Sequence, residues 1–152
     1  MKKNCMLFFV LTLILCTCIS PMRPSKQFWR IESNETVTFT TIYHLDLNKD
    51  QGIDRIIIEE IFEYFSTPDV IHTLDQNFRQ KRGHYANIDG VTMDIQSQTN
   101  KYTSLITLNL QKISTKDLFQ VLPDYHLFLD DTGRITYTSS KNHLQSIGLI
   151  EK

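Results

Sequence analysis

Thr36-Val37-Thr38-Phe39-Thr40-Thr41-Ile42-Tyr43-His44-Leu45, followed after Asn48-Lys49-Asp50-Gln51-Gly52 by Ile53 to Phe65, decides the fold of this chain. The first run is dense in β-branched and aromatic residues, which suit a pleated, half-buried surface. Its odd positions, Val37, Phe39, Thr41, Tyr43 and Leu45, fall on one side of a strand. In the second run Ile53, Ile57, Ile61 and Phe65 recur at even spacing with Arg55, Glu59 and Glu63 among them. Joined by the polar turn, the two predict a long antiparallel hairpin. A helix over Ile57 to Phe65 stays open, because Glu59, Glu60 and Glu63 also suit helices.

Downstream, Ser66-Thr67-Pro68-Asp69 has the cap residue, early proline and acid of a helix start. Val70, Ile71, Leu74 and Phe78 continue at helical spacing to about Arg82, where Gly83 is expected to end it. Val91 to Gln96 and Tyr102 to Leu110 read as strands around the turn Gln98-Thr99-Asn100-Lys101. Ser114-Thr115-Lys116-Asp117 opens a short helix that runs to Leu122 before Pro123. Leu127-Phe128-Leu129 and Ile135-Thr136-Tyr137 flank Asp130-Asp131-Thr132-Gly133 and predict a second tight hairpin. Ser139 or Ser140 is the expected cap of a last helix, stopped by Gly148. The fold class is α+β, with an antiparallel sheet of hairpins packed against two or three helices in one compact domain.

The amino terminus is of another kind. Lys2 and Lys3 precede an apolar run from Cys5 to Leu15, which ends at Cys16-Thr17-Cys18. A basic start, a short apolar stretch and a small polar exit form the pattern of an export signal. A spanning helix needs about 20 apolar residues, and this run is shorter. All three cysteines lie in or beside this segment, so the remainder depends on packing alone, without disulfides. A cysteine at the end of such a run predicts lipidation, since each buried methylene of an acyl chain contributes about 0.8 kcal/mol to anchoring. Cys18, with Leu15 and Thr17 before it, is the better acceptor; Cys16, preceded directly by bulky Leu15, is the alternative. The expected organisation is a signal peptide over 1–17, the lipidated cysteine and a tether over 18–30, and a domain over 31–152. The expected location is the outer face of the bacterial cytoplasmic membrane, with free secretion as the alternative.

Removal of 1–17 leaves 135 residues, enough for one sizeable core. Against 17 acids they hold 14 Lys and Arg, a net charge of −3. That balance argues against a nucleic-acid partner, and against an anionic-lipid surface beyond the anchor itself.

With hairpin, helix, hairpin and short helix in order, Tyr85-Ala86-Asn87-Ile88-Asp89-Gly90-Val91, the Tyr102 to Leu110 strand and Ser114 to Leu118 resemble the centre of the YehR-like family of bacterial lipoproteins. The likeness extends over Ile31 to Lys152. It implies a compact α+β domain held by a lipid outside the cytoplasmic membrane, and it carries no catalytic motif and no cofactor. Asp124 to Thr138 is longer and more aromatic than the family pattern, in keeping with an extra hairpin.

Sites of chemistry are few. Asp46 to Gly52 alternates oxygen ligands, but an EF-hand loop needs glycine sixth and Glu twelfth, where this chain has Gln51 and Ile57. His44, His72, His84, His126 and His143 show no metal-ligand spacing. No nucleophile elbow or phosphate loop occurs. Glu59 and Glu63 on a strand share a face with Arg55 and predict a solvated, ion-paired surface. Gly90 is expected to close its turn with positive φ. The function expected is a non-enzymatic binding or accessory module, with its protein or small-molecule ligand unidentified; Phe39, Tyr43 and Tyr102 are its candidate contact surface, against the preferred reading that these aromatics are simply core. The alternatives are a small envelope hydrolase using acids such as Asp46 or Glu59, and a structural partner in an envelope complex.

Overall fold

The computed structural model describes residues 24–64 and 68–152. Three strands open it: β1 (Ser25–Ser33), β2 (Val37–Leu47) and β3 (Ile53–Tyr64). Helix α1 (Pro68–Tyr85) leads into the hairpin of β4 (Val91–Gln98) and β5 (Lys101–Asn109). Helix α2 (Thr115–Val121), a 3-10 turn (Tyr125–Phe128), helix α3 (Tyr137–Ser146) and the two-residue β6 (Ile150–Glu151) complete the chain. The strands form one antiparallel sheet in the order β4-β5-β3-β2-β1-β6.

The expected hairpin is present, and Ile57 to Tyr64 is strand, not helix. The register explains why. Ile56, Ile58 and Tyr64 sit opposite Leu45, Tyr43 and Val37 on one face, so strand geometry buries residues that a helix would scatter around its axis. Between Asp46 and Leu47 the register slips, which turns Ile53 into the core while Ile57 and Ile61 stay on the opposite face.

One face carries the core. Phe28, Leu45, Ile56, Tyr102 and Leu108 are at most 1 % exposed on it, and each contributes about 2–3 kcal/mol by leaving water. Helix α1 covers its β4–β5 end through Leu74, Phe78 and Tyr85, spaced to form one stripe. The Phe78 ring stacks on Tyr102 at 4.9 Å. Leu118, Val121, Phe128 and Leu144 close the other end.

Several boundaries differ from expectation. The tether expected through residue 30 gives way to β1 at Ser25, because Phe28 is an essential core residue with 0 % exposure. Helix α1 runs through Gly83 to Tyr85; a Cβ at Gly83 would meet nothing, and burial of the Tyr85 ring extends the helix. The start expected at Ser66 lies outside the described residues. Ser114 caps α2, its hydroxyl accepting from the Asp117 amide at 3.1 Å. The second hairpin reduces to one bridge, Leu129 to Ile135. Asp130 folds the turn onto itself, its Oδ1 accepting from the Thr132 and Arg134 amides. Thr136, not Ser139 or Ser140, then caps α3 in a reciprocal box with Ser139, leaving no residues for a second strand.

Candidate functional site

The three aromatic residues expected to form a contact surface all lie on the covered face. Tyr102 is 1 % exposed and donates its hydroxyl to Asp75 Oδ1 at 3.0 Å. Burial, with the Asp75 carboxylate adding to it, pushes its phenol up to about 12. Phe39 packs on Phe62 at 4.4 Å, and Tyr43 lies 6.3 Å from Phe128. Burial, then Glu60 and Asp124, likewise raises Tyr43 to about 12. These residues hold the domain together and present no common surface. Cys18 and Cys16 lie outside the described residues.

Among the described residues no helix lies over the opposite face. Trp29, Ile42, Ile57, Ile61 and Leu105 are half-buried there among threonines and charges. Glu63 pairs with Lys101 at 3.7 Å, Glu59 lies 3.4 Å from the His44 ring nitrogen, and Arg55, expected to serve the two glutamates, pairs with Asp46 instead. The Asp46 to Gly52 stretch is a hairpin turn. Asn48 Oδ1 accepts from the Asp50 and Gly52 amides at 3.0 and 2.9 Å, and Asp46 accepts from Arg55 Nε at 2.6 Å. The Asn48 side-chain oxygen and Asp46 Oδ2 are thereby engaged by the protein's own donors. The carboxyls with displaced protonation, Asp75, Asp130 and Glu151, are all held low, and a general acid requires the reverse. Among the described residues no three His, Cys, Asp or Glu side chains converge on a metal position.

A basin of about 500 Å³ lies at one corner of this open face. Arg55, Asn109, Thr107 and Thr92 come from adjacent strands, while Asn87 and Lys112 come from the loops beside them. The sequence builds it through Gly90. That residue has φ +80, as expected, and a Cβ there would stand 2.8 Å from the Ile113 amide and 3.0 Å from the Asn109 carbonyl. Only glycine lets the 86–90 turn close on the loop that carries Lys112. The Asn109 amide donates to the Gly90 carbonyl at 2.7 Å and locks the two segments.

Charge in the basin is partly spent. Asp46, 6 % exposed, holds Arg55 Nε and Nη2, leaving the far edge of the guanidinium toward solvent. Lys112 has no ion pair among the described residues. Asp89 is the carboxylate of the lining. Amides, hydroxyls and two cations in one open basin suit an oxygen-rich, anionic or polyhydroxylic group. The sequence singled out the Asn87 to Gly90 turn, yet not Arg55 and Lys112 as its companions. Their approach depends on strand register, and only the even spacing of Arg55 with Glu59 hints at the face it occupies.

No family model matches the chain. Over 103 residues it is 27 % identical to an uncharacterized protein of Methanocaldococcus jannaschii, a stretch that is 66 % of this chain and 37 % of that relative. An NMR structure of a protein from Streptococcus pneumoniae TIGR4 superposes with a TM-score of 0.55 at 10 % identity, over 88 % of this chain and 87 % of the other. The NMR structure of Escherichia coli YehR superposes with a TM-score of 0.63 at 15 % identity, over 88 % and 93 %. The chain has a YehR-like fold.

Proposed function

We propose that this protein is a lipoprotein of the outer face of the bacterial cytoplasmic membrane, anchored through Cys18, whose domain is a non-enzymatic binding module. The observation that carries this reading is the position of β1. The sheet begins at Ser25, so only 19–24 separate an acceptor cysteine at the end of an export signal from the folded domain. That is the layout of a module held close to the surface it was exported across. Among the described residues no helix is long and apolar enough to cross a membrane, so attachment falls to the segment that contains Cys18. Binding in place of catalysis is supported by the state of Asp46, Glu151 and Asp130, which serve as acceptors in ion pairs and a turn.

The test is the mass of the membrane-extracted amino-terminal peptide after expression of the full chain in a Gram-positive host. A diacylated or triacylated Cys18 is expected. An unmodified terminus recovered from the medium overturns the anchor and leaves a secreted domain with a soluble ligand. Acylation at Cys16 moves the site without changing the class.

A further inference from the structure

The register fixes which rim of the sheet meets the tether. Ser25 of β1 pairs with Asp46, Asp46 with Arg55, and Arg55 with Asn109, whose amide bonds Gly90. The chain therefore enters the domain in the same cross-sheet row that ends at the basin. Four strand spacings, about 19 Å, separate the two points. Seven peptide units from Cys18 to Ser25 reach at most about 25 Å. An anchored domain can set tether entry and basin against the same plane together.

We propose that the basin of Arg55, Asn87, Thr92, Thr107, Asn109 and Lys112 binds the headgroup of a membrane phospholipid whose phosphate carries a hydroxyl- or ammonium-bearing alcohol, such as glycerol or ethanolamine. This rests on the anchoring through Cys18. The lining specifies the class. Lys112 and the free edge of Arg55 are cations with donors to spare, suited to a phosphodiester. Asp89, in the same lining, repels a bare phosphate and accepts from the donor on the alcohol. The mature chain's net −3 exerts no long-range pull toward an anionic surface, so bulk charge is not the cause. The anchor supplies proximity instead. A tether this short holds the basin at millimolar effective concentration of headgroups, where a weak site is occupied.

The test uses the mature chain extracted from host membranes, in phosphatidylglycerol vesicles and in octaethylene glycol dodecyl ether micelles, whose headgroup has neither phosphate nor polyol, each pulsed with an amine-acetylating reagent and mapped by mass. Lys112 is expected to react at least about five-fold more slowly in vesicles than in micelles. Lys49, exposed on the same rim outside the basin lining, is expected to change by less than about two-fold. The double variant Thr92→Val, Thr107→Val removes two basin hydroxyls on the uncovered face and should restore Lys112 reactivity in vesicles. Equal protection of Lys49 and Lys112 overturns the site, leaving general shielding of the rim. Full protection of Lys112 in micelles by millimolar glycerol phosphate overturns the membrane source in favour of a soluble phosphate ester. An amino-terminal peptide without acyl chains, read from the same digest, overturns the anchoring reading and not the chemistry of the basin.

Discussion

The two faces of the sheet both carry large aliphatic side chains and differ in what stands beside them and what lies over them: further apolar residues beneath helices on one face, threonines and charges on the other. On the covered face Phe28, Leu45, Ile56 and Leu108 are sealed beneath α1, α2 and α3. On the open face Trp29, Ile42, Ile57 and Ile61 are half-buried by one another and by neighbouring side chains. The same aliphatic side chain therefore carries a different energy according to the parity of its position. Ile56 and Ile57 state the contrast in consecutive residues. Ile56 is 0 % exposed between Leu45 and Leu108, whereas Ile57 stands between His44 and Thr107. Truncating the first leaves a cavity in close packing, and truncating the second only widens a surface. Urea unfolding of Ile56→Ala is expected to show a loss of about 3–4 kcal/mol. Ile57→Ala should cost about 1 kcal/mol or less. Equal losses would mean that a partner or another segment covers the open face.

Gly90 stands where the two faces meet, and it sharpens the comparison at the basin. Alanine there adds the strain of positive φ to a contact of 2.8 Å with the Ile113 amide, a backbone atom that cannot turn aside. Gly90→Ala is expected to cost about 2–3 kcal/mol in urea unfolding. The damage should be local. Amide exchange is expected to accelerate at Asn109 and Ile113 first, since the turn and the Lys112 loop close on each other through Gly90. Uniform acceleration across β2 and β3 would break the assignment of Gly90 to the basin.

This division explains what could be read in the sequence. The odd-numbered stripe from Val37 to Leu45 gave the covered face of β2 correctly, because alternation over a long strand has one solution. On β3 the visible spacing of Ile53, Ile57 and Ile61 suggested a single face. The slip at Asp46 and Leu47 places Ile53 on one side and the other two on the opposite side. A bulge has no periodic signal. Phe39, Tyr43 and Tyr102 were legible as core side chains as readily as a contact surface, and what covers them, Phe78 of α1 over Tyr102 and Phe128 beside Tyr43, is a matter of tertiary packing. Ser114 announced its helix, whereas Thr136 was hidden by the more conspicuous Ser139-Ser140 pair. The basin was legible only at Asn87 to Gly90. Arg55 is far from that turn in sequence and reaches it through two pairings, β3 with β5 and β5 with β4.

Polar contacts divide in the same way, and their pH dependence measures the division. At the β1–β6 edge, Glu151 accepts from the Tyr137 hydroxyl and pairs with Lys141 at 2.8 Å and Lys26 at 3.6 Å. The Lys141 and Tyr137 hydrogen bonds, in that order, hold its carboxyl down to about 2, from an ordinary value of 4.5. A depressed carboxylate pKa means that its contribution is whole above about pH 4.5 and is lost as pH falls through about 2. Glu151→Gln should therefore cost about 1–2 kcal/mol at pH 7, and the gap to the parent should close as acid approaches pH 2. Melting curves across that range check both. On the open face, Glu63 meets Lys101 at 3.7 Å with its side chain 48 % exposed, and solvent screens the pair. Glu63→Gln should change stability by no more than a few tenths of a kcal/mol at any of these pH values. A carboxylate matters here according to how many donors the fold aims at it, three for Glu151 and one for Glu63. If Glu63→Gln proved as costly as Glu151→Gln, the open face would be drier than its exposure implies, and the two faces would differ only in name.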